Sequence, residues 1–204
     1  MDEIHVETTV PLLEAGYDVL LEKPIAPNHQ QLQVLEGAVQ RTGRKVVICH
    51  VLRYAPFYAA IKQRVANGEI GDIMHIHTTE NVSYHHMAVA FIRGKWNRED
   101  VNPMLLAKCC HDLDLICWMK SGVQPKKVAS FGGRHFFNSD NAPEGAALRC
   151  VDCSIERECE YSAIRHHVDN GVWPFYALAG EESYERGGEV GSDARLAHVA
   201  DSDY

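Results

Sequence analysis

Apolar residues alternate between helical and strand spacing over the first quarter of the chain. Residues 4–15 repeat apolar positions at helical intervals, and the continuous apolar run 17–21 is typical of a strand covered on both faces. A second helix is predicted to begin after Asn28 and to end at Gly43, and residues 45–52 form the next predicted strand. This helix–strand–helix–strand order indicates the α/β class, with a doubly wound parallel sheet.

The pattern changes after a third predicted helix over residues 57–67. Long extended segments follow, with candidate strands at 72–82, 126–137 and 146–152 and a helix at 104–120 between the first and the second. This order is typical of a helix packed on an open, largely antiparallel sheet. The sequence therefore predicts a second region of the α+β type.

Three polar residues interrupt the otherwise apolar helix 104–120. Lys108, His111 and Asp112 fall on one stripe, and the apolar remainder predicts a buried helix that Asn102 caps. Desolvation and a neighbouring imidazole would lower the pKa of Lys108 toward neutrality, as an acid/base group requires. The alternative is structural: Lys108 and Asp112 form an i,i+4 ion pair, and His111 is a core histidine with satisfied hydrogen bonds.

Composition narrows the classes of partner. The 204 residues carry a net charge of −8 and no cluster of Lys and Arg, which argues against nucleic acids and anionic membrane surfaces as partners. No apolar run is long enough for a membrane span, and the N-terminal residues lack the layout of a signal peptide. We therefore expect a cytoplasmic location. The seven cysteines are then expected to be reduced thiols or metal ligands.

Three of these cysteines have a spacing that suggests a metal site. Cys150, Cys153 and Cys159 would bind a structural zinc ion if a fourth ligand joined them, and His166 or His167 is the nearest candidate. The alternative is a loop in which three reduced thiols pack against the sheet.

Five short motifs, in this order, resemble the Gfo/Idh/MocA family of NAD(P)-dependent oxidoreductases, many of which act on sugars, inositols and related polyols. The resemblance covers roughly residues 2–165. The motifs are Glu22-Lys23-Pro24, His50-Val-Leu-Arg53-Tyr54, Phe91-Ile-Arg93-Gly-Lys-Trp96, Lys108-Cys-Cys-His111-Asp-Leu-Asp114 and Asn141-Ala-Pro-Glu-Gly-Ala146.

The resemblance implies roles for the polar residues of two motifs. Lys23 matches a lysine beside the nicotinamide and the substrate hydroxyl, and Pro24 matches a proline that is often cis. His111 matches a histidine that exchanges the carbinol proton. Several members have an aspartate four residues before this histidine, where this chain has Ala107 and, one residue later, Lys108. Which of Lys23, Lys108 and His111 acts as the base therefore stays open.

The same resemblance extends the expected site to two further groups of residues. A small polyol or sugar would be the substrate, NAD or NADP the cofactor, and the open sheet the contact of a homo-oligomer. The expected cofactor-binding residues are Glu22, Lys23, Pro24 and Arg53, and the expected substrate-binding residues are Tyr84, His85, Arg93, Trp96 and Asp112.

The chain departs from the family in one respect. It has no Gly-x-Gly-x-x-Gly turn, which binds the pyrophosphate of dinucleotides at a helix N-terminus. We therefore expect residues 1–54 to be the C-terminal remainder of a Rossmann-type domain and residues 55–204 to be the α+β substrate and oligomerisation domain, with 180–204 poorly ordered. Strands that close the second domain are also expected to be missing. The alternative function is a non-catalytic remnant that serves as an assembly or binding module, stabilised by zinc in one version.

Overall fold

The structure is a computed structural model that describes residues 2–92, 96–98 and 101–170. These residues form two compact units, one of residues 2–81 with 98 and 101–129, the other of residues 82–92, 96, 97 and 130–170. The regular elements are α1 His5–Glu14, β1 Val19–Leu21, α2 His29–Thr42, β2 Val46–Ile48, α3 Pro56–Ala66, α4 Tyr84–Met87 and α5 Met104–Met119. Shorter 3-10 turns lie at Asp2–Ile4, Val51–Tyr54, Ser139–Asn141 and Cys150–Asp152, and π turns lie at Ala88–Ile92 and Ile164–Asp169.

The first unit is built around a two-stranded parallel sheet. β1 and β2 pair with Val19 opposite Val46 and Leu21 opposite Ile48, and α2 makes the crossover between them. The α/β class and the first four predicted elements are confirmed. β2 is shorter than predicted because the chain turns into a 3-10 helix at Val51.

Local sequence signals explain the bounds of α2. The Asn28 side chain accepts a hydrogen bond from the backbone N–H of Gln31 at 2.9 Å, and Gly43 ends the helix with φ +64°. An asparagine at the N-cap satisfies one of the donors that a helix start leaves open, and glycine adopts the left-handed conformation without a Cβ clash. Both ends of the helix are therefore where the sequence predicts them.

One face of the sheet carries the core of the first unit, against α1 and α2. The buried members of this core are Val6, Leu13, Leu21, Ala26, Leu35 and Ala38. On the opposite face, the paired residues Leu20 and Val47 are 71% and 52% exposed. The prediction that both faces of the sheet are covered is therefore wrong for the described part of the chain, because α1 and α2 pack on the same side.

Helix α5 forms at the predicted place but differs from the prediction in two ways. Its N-cap is Pro103, whereas the buried Asn102 side chain donates a hydrogen bond to Asp2 instead of capping. The helix is also less buried than predicted, since Leu105 and Leu113 are each 59% exposed. The buried residues of α5 in the described part of the chain are Ala107 and Leu115.

The predicted open antiparallel sheet is not observed. Residues 72–82, 126–137 and 146–152 are all described, and none of them forms a strand. An extended segment becomes a strand only when its backbone groups pair with a neighbouring strand, which these segments do not find among the described residues. The structure therefore supports the smaller parallel sheet alone.

The second unit is built from short helical turns and aromatic contacts. The helix α4 continues into the π turn, and the rings of Tyr84 and Tyr161 lie 6.2 Å apart in an edge-on arrangement. Ser162 is fully buried and donates a hydrogen bond to the carboxylate of Glu156, which is also buried. The predicted disorder of residues 180–204 lies outside the described residues. The predicted domain boundary at residue 54 stays a prediction.

Candidate active site

The carboxyl ends of β1 and β2 place four polar residues at one edge of the sheet. Glu22 and Lys23 directly follow β1, and Cys49 and His50 directly follow β2. Parallel strands in register end at the same edge, and in α/β sheets ligands bind outside this edge. The candidate site of the first unit therefore begins here.

Lys23 reaches from this edge to α5. Its ammonium donates a hydrogen bond to the backbone carbonyl of Ala107 at 3.0 Å. The Lys23–Pro24 peptide bond is cis, as the resemblance implies, and the Pro24 carbonyl lies 2.8 Å from Nδ1 of His5. Lys23 is thereby fixed at both its backbone and its amine.

One stripe of α5 faces the strand ends. Ala107, His111, Asp114 and Trp118 are spaced four, three and four residues apart, which places them on one side of a helix. This stripe is not the predicted one, which ran through Lys108 and Asp112. Asp114 closes the motif that begins at Lys108, but the sequence did not predict a role for it.

Asp114 is the centre of a polar network. Its carboxylate accepts two hydrogen bonds from Arg53, at 2.7 and 2.6 Å, and lies 2.9 Å from Nδ1 of His50. The Asp114 side chain is only 9% exposed, and these bonds raise the pKa of Arg53 above its usual value. The Arg53 guanidinium also lies 5.8 Å from the centre of the Trp118 ring, and Lys62 donates a 2.6 Å hydrogen bond to the carbonyl of Trp118.

His111 is a partly buried imidazole next to these groups. Its ring centre lies 6.1 Å from that of His50, and its Nδ1 is buried without a hydrogen-bond partner in the described part of the chain. Burial lowers the pKa of His111 below its usual value of 6.5, and the nearby charge of Lys23 lowers it further. The structural alternative of a core histidine with satisfied hydrogen bonds is therefore not met at Nδ1.

Lys108 lies on the same helix, one turn before His111. Burial lowers the pKa of its ammonium below the usual 10.5, and the nearby charge of Lys23 adds to this, while Glu80 opposes it. The predicted direction is confirmed, but the cause differs in part, because the neighbour is a lysine and not an imidazole. Two lysines and a histidine therefore share one region of the first unit.

The thiols near this region do not favour nucleophilic chemistry. Burial raises the pKa of Cys49, Cys109 and Cys110, and Glu22 raises that of Cys49 further. The thiolate is the reactive form of cysteine, and a raised pKa disfavours it. The amines and imidazoles are therefore the better acid/base groups here.

The predicted site residues separate into three groups. The first unit contains the predicted residues that follow the two strands or lie on α5, which are Glu22, Lys23, Pro24, Arg53, Lys108, His111 and Asp112. Tyr84, His85 and Trp96 belong to the second unit, where Tyr84 lines a cavity of about 460 Å³ together with Glu160, Arg165, His166 and Asn170. Arg93 lies outside the described residues.

The predicted zinc site is not supported. Cys150 accepts a hydrogen bond from the backbone N–H of Ala163 at 3.4 Å, whereas Cys153 donates a weak bond to the carbonyl of Gly145 at 3.9 Å. Among the residues that the structure describes, no three His, Cys, Asp or Glu side chains are grouped so that they could hold a metal ion. The three cysteines have the sequence spacing of a zinc site, but the thiols of Cys150 and Cys153 contact different backbone groups. None of the seven cysteines forms a disulfide bond.

None of the described helices combines the length of a membrane span with the apolar character that one requires.

Comparisons with known proteins agree on one family. Residues 58–154 match the sequence model of the GFO/IDH/MocA C-terminal domain. The YteT protein of Bacillus subtilis (strain 168) is 28% identical over 170 residues, which are 81% of this chain and 39% of that protein. Inositol 2-dehydrogenase of Gluconacetobacter diazotrophicus is 34% identical over 72 residues, which are 36% of this chain and 22% of that protein.

A solved structure, that of apo scyllo-inositol dehydrogenase from Lactobacillus casei, has a TM-score of 0.45 and 23% identity over 58% of this chain and 33% of that one. The chain thus spans less than half of the length of each of these three proteins. The family match covers most of α3 and all of α5, and the match to the YteT protein is longer, at 170 residues. Together, these matches support assignment of the chain to the Gfo/Idh/MocA family of oxidoreductases.

Proposed function

We propose that this oxidoreductase transfers hydride between a secondary alcohol of a sugar or cyclitol and NAD or NADP. The observation that carries the proposal is the hydrogen bond of Lys23 to α5, beside His111 and Lys108, whose pKa values are lowered by burial first and by the charge of Lys23 second. Oxidation of an alcohol releases a proton from oxygen, so the site needs a base that is uncharged near neutral pH. The name of one relative, inositol 2-dehydrogenase, supports a cyclitol as substrate.

The residues at the strand ends fit the reacting end of a dinucleotide. Lys23 and Pro24 lie at the edge where α/β sheets bind ligands, and Nδ1 of His111 is a buried polar atom without a hydrogen-bond partner among the described residues. When bound, the cofactor accepts the hydride. The fit concerns the nicotinamide end alone, because the sequence contains no Gly-x-Gly-x-x-Gly turn for the pyrophosphate.

Within this proposal, each group has a separate task. His111, with its lowered pKa, is uncharged at neutral pH and accepts the carbinol proton. Lys23 stays held by the Ala107 carbonyl and stabilises the negative charge that develops on the carbinol oxygen. The lowered pKa of Lys108 makes it the second candidate for the base, while Glu22, Arg53 and Asp112 stay proposals as cofactor and substrate contacts.

The test is a spectrophotometric assay of the purified chain. NAD⁺ or NADP⁺ is mixed with myo-inositol or with a panel of sugars, and absorbance of the reduced nicotinamide is followed. Lys23→Met and His111→Gln should each lower turnover about 100-fold or more, the usual effect of losing an acid/base group. His29→Gln, at an exposed histidine of α2, is the matched control and should leave turnover unchanged.

The outcomes separate the proposal from its alternative. Turnover that survives both substitutions contradicts the assigned roles of Lys23 and His111. If the chain binds a polyol but forms no reduced nicotinamide with any substrate of the panel, the non-catalytic binding module is the better interpretation.

We also propose that the extended segments around Met74 and Val128 take part in a homo-oligomer contact, and that the protein is cytoplasmic. What supports this is their apolar exposure, since Met74 and Val128 are 91% and 87% exposed. Light scattering of the purified chain should give a multiple of its 22.9 kDa mass. Met74→Lys should lower that mass, and a monomeric parent chain would contradict the proposal.

A further inference from the structure

The cavity of the second unit is lined by side chains of several chemical classes. Its volume is about 460 Å³, and the lining residues are Tyr84, Glu160, Arg165, His166 and Asn170. Small-molecule sites are clefts of about 300–1,000 Å³, so this cavity has room for one small ligand. All five residues belong to the second unit, and none of them has a role in the hydride transfer proposed above.

Arg165 supplies a positive charge to the cavity. It lies on the π turn Ile164–Asp169, and its backbone N–H donates a 3.0 Å hydrogen bond to the hydroxyl of the buried Ser162. Its guanidinium donates a hydrogen bond to the carbonyl of Arg157 and makes no ion pair within the described part of the chain. Since a guanidinium has five N–H donors, this bond leaves others for a ligand. The side chain is therefore held in place while its charge is not neutralised.

Glu160 supplies a negative charge to the same cavity. Among the residues that the structure describes, its carboxylate has neither a hydrogen bond nor an ion pair, so it does not pair with Arg165. The neighbouring phenol responds to this charge, because burial raises the pKa of Tyr161 and the Glu160 carboxylate raises it further. Two opposite formal charges thus line one cavity without neutralising each other.

An aromatic ring lies beside these charges. Tyr84 is 57% exposed, and its ring centre lies 5.8 Å from that of His166, which is 4% exposed. A second edge-on contact joins Tyr84 to Tyr161. These contacts fix the ring of Tyr84 and leave part of its surface open, on which an apolar or aromatic group of a ligand can pack.

The two charges limit the class of ligand. A simple anion would be attracted by Arg165 and repelled by Glu160, and for a simple cation the signs are reversed. A neutral ligand would displace water from both charges and give neither of them a counter-charge. A molecule that carries both a carboxylate and an ammonium satisfies the two side chains by charge-assisted hydrogen bonds.

We propose that this cavity binds an α-amino acid with an apolar or aromatic side chain. The carboxylate of the ligand accepts hydrogen bonds from Arg165, and its ammonium donates one to Glu160. The side chain of the ligand packs on the ring of Tyr84. This site takes no part in hydride transfer, so it stands or falls separately from the proposed function.

The first test uses ligands of similar shape that differ in charge. Calorimetric titration of the full chain compares L-phenylalanine with phenylpropionate, which lacks the ammonium, and with phenylethylamine, which lacks the carboxylate. L-Phenylalanine should bind about tenfold or more tightly than either analogue, the usual effect of one hydrogen bond to a charged group. Equal affinities of the three ligands would overturn the inference, as would tighter binding of myo-inositol in this cavity or no binding of L-phenylalanine and L-leucine at millimolar concentration.

The second test assigns the two charges. Arg165→Gln should weaken L-phenylalanine binding about tenfold and improve that of phenylethylamine, because the repulsion of its ammonium is removed. Glu160→Gln should weaken L-phenylalanine binding to a similar extent and improve that of phenylpropionate. The matched controls are Arg157→Gln and Glu158→Gln, at exposed charges of the same unit that do not line the cavity, and they should leave the three affinities nearly unchanged.

The Arg165 side chain also bonds the carbonyl of Arg157, so circular dichroism first checks that each variant keeps the helix content of the parent chain. If Arg165→Gln does not fold, the ligand series on the parent chain and Glu160→Gln decide the question. If the folded cavity variants bind L-phenylalanine like the parent, or if the control variants lose as much affinity as they do, the inference fails.

Discussion

Replacing Asp114 by asparagine should be the most informative single change in the first unit. The substitution keeps the shape of the side chain and removes its charge. Arg53 and His50 would then face a neutral amide in place of the carboxylate that they share. A partly buried guanidinium without a counter-charge is costly, so the fold of the first unit should lose stability.

The size of the effect follows from burial. Breaking a fully buried ion pair costs about 3–5 kcal/mol. Here the Asp114 side chain is 9% exposed but that of Arg53 is 39% exposed, so solvent screens the charge that is left behind. We therefore expect a loss of about 1.5–2.5 kcal/mol, roughly half of the buried figure.

Urea unfolding, followed by the circular dichroism of the helices, measures this loss as a change in the free energy of unfolding. The matched control is Glu14→Gln, which breaks the pair between Glu14 and Arg41, whose side chains are 52% and 59% exposed. That change should cost less than about 0.5 kcal/mol. Combining Asp114→Asn with Arg53→Gln should show a coupling energy of about 1–2 kcal/mol, since each side chain stabilises the fold through its contact with the other.

Two outcomes would contradict a stabilising role for Asp114. If Asp114→Asn and Glu14→Gln have the same small cost, the network around Asp114 does not stabilise the first unit. A full loss with no coupling to Arg53 would assign the effect of Asp114 to another contact.

Three further changes test other parts of the argument. The lowered pKa of His111 means that the unfolded chain binds this proton first, so stability should fall as the pH drops below about 6.5, and His111→Gln should flatten that fall in a pH series of urea midpoints. Leu13→Ala, at a core position that is 1% exposed, should cost about 2–4 kcal/mol in the same measurement, whereas Leu12→Ala, at a position 45% exposed, should cost less than half as much, and equal costs would contradict the assigned core. Asn28→Ala should cost about 1 kcal/mol through the lost N-cap of α2, against no change for the exposed Gln40→Ala, and an unaltered midpoint would exclude a capping role.

Local signals were reliable where one segment decides its own structure. Asn28 and Gly43 fix the ends of α2, and the apolar spacing of α1 predicts its buried side. The extended segments after residue 72 were not predictable in the same way, because a strand needs a partner that the segment itself does not contain. For the same reason the apolar surface of α5 did not reveal which of its sides would be covered.

The candidate site likewise contains residues that the sequence predicted and residues that it did not. The motifs alone brought attention to Lys23, Lys108 and His111, since amines and imidazoles beside apolar residues are unusual. The roles of Asp114 and His50 were missed. A signal for Asp114 was present, because it lies three residues after His111 and so shares its side of a helix.

The sequence by itself indicated the family, predicted the α/β order of the first four elements and named Lys23, Lys108 and His111 as candidate acid/base groups. Tertiary structure decided which of these residues meet. Lys23 and Ala107 are 84 residues apart in the chain, and Arg53 and Asp114 are 61 apart, yet each pair is joined by hydrogen bonds. Such contacts depend on how α5 lies against the strand ends, and the resulting burial sets the lowered pKa of His111, which no local pattern encodes.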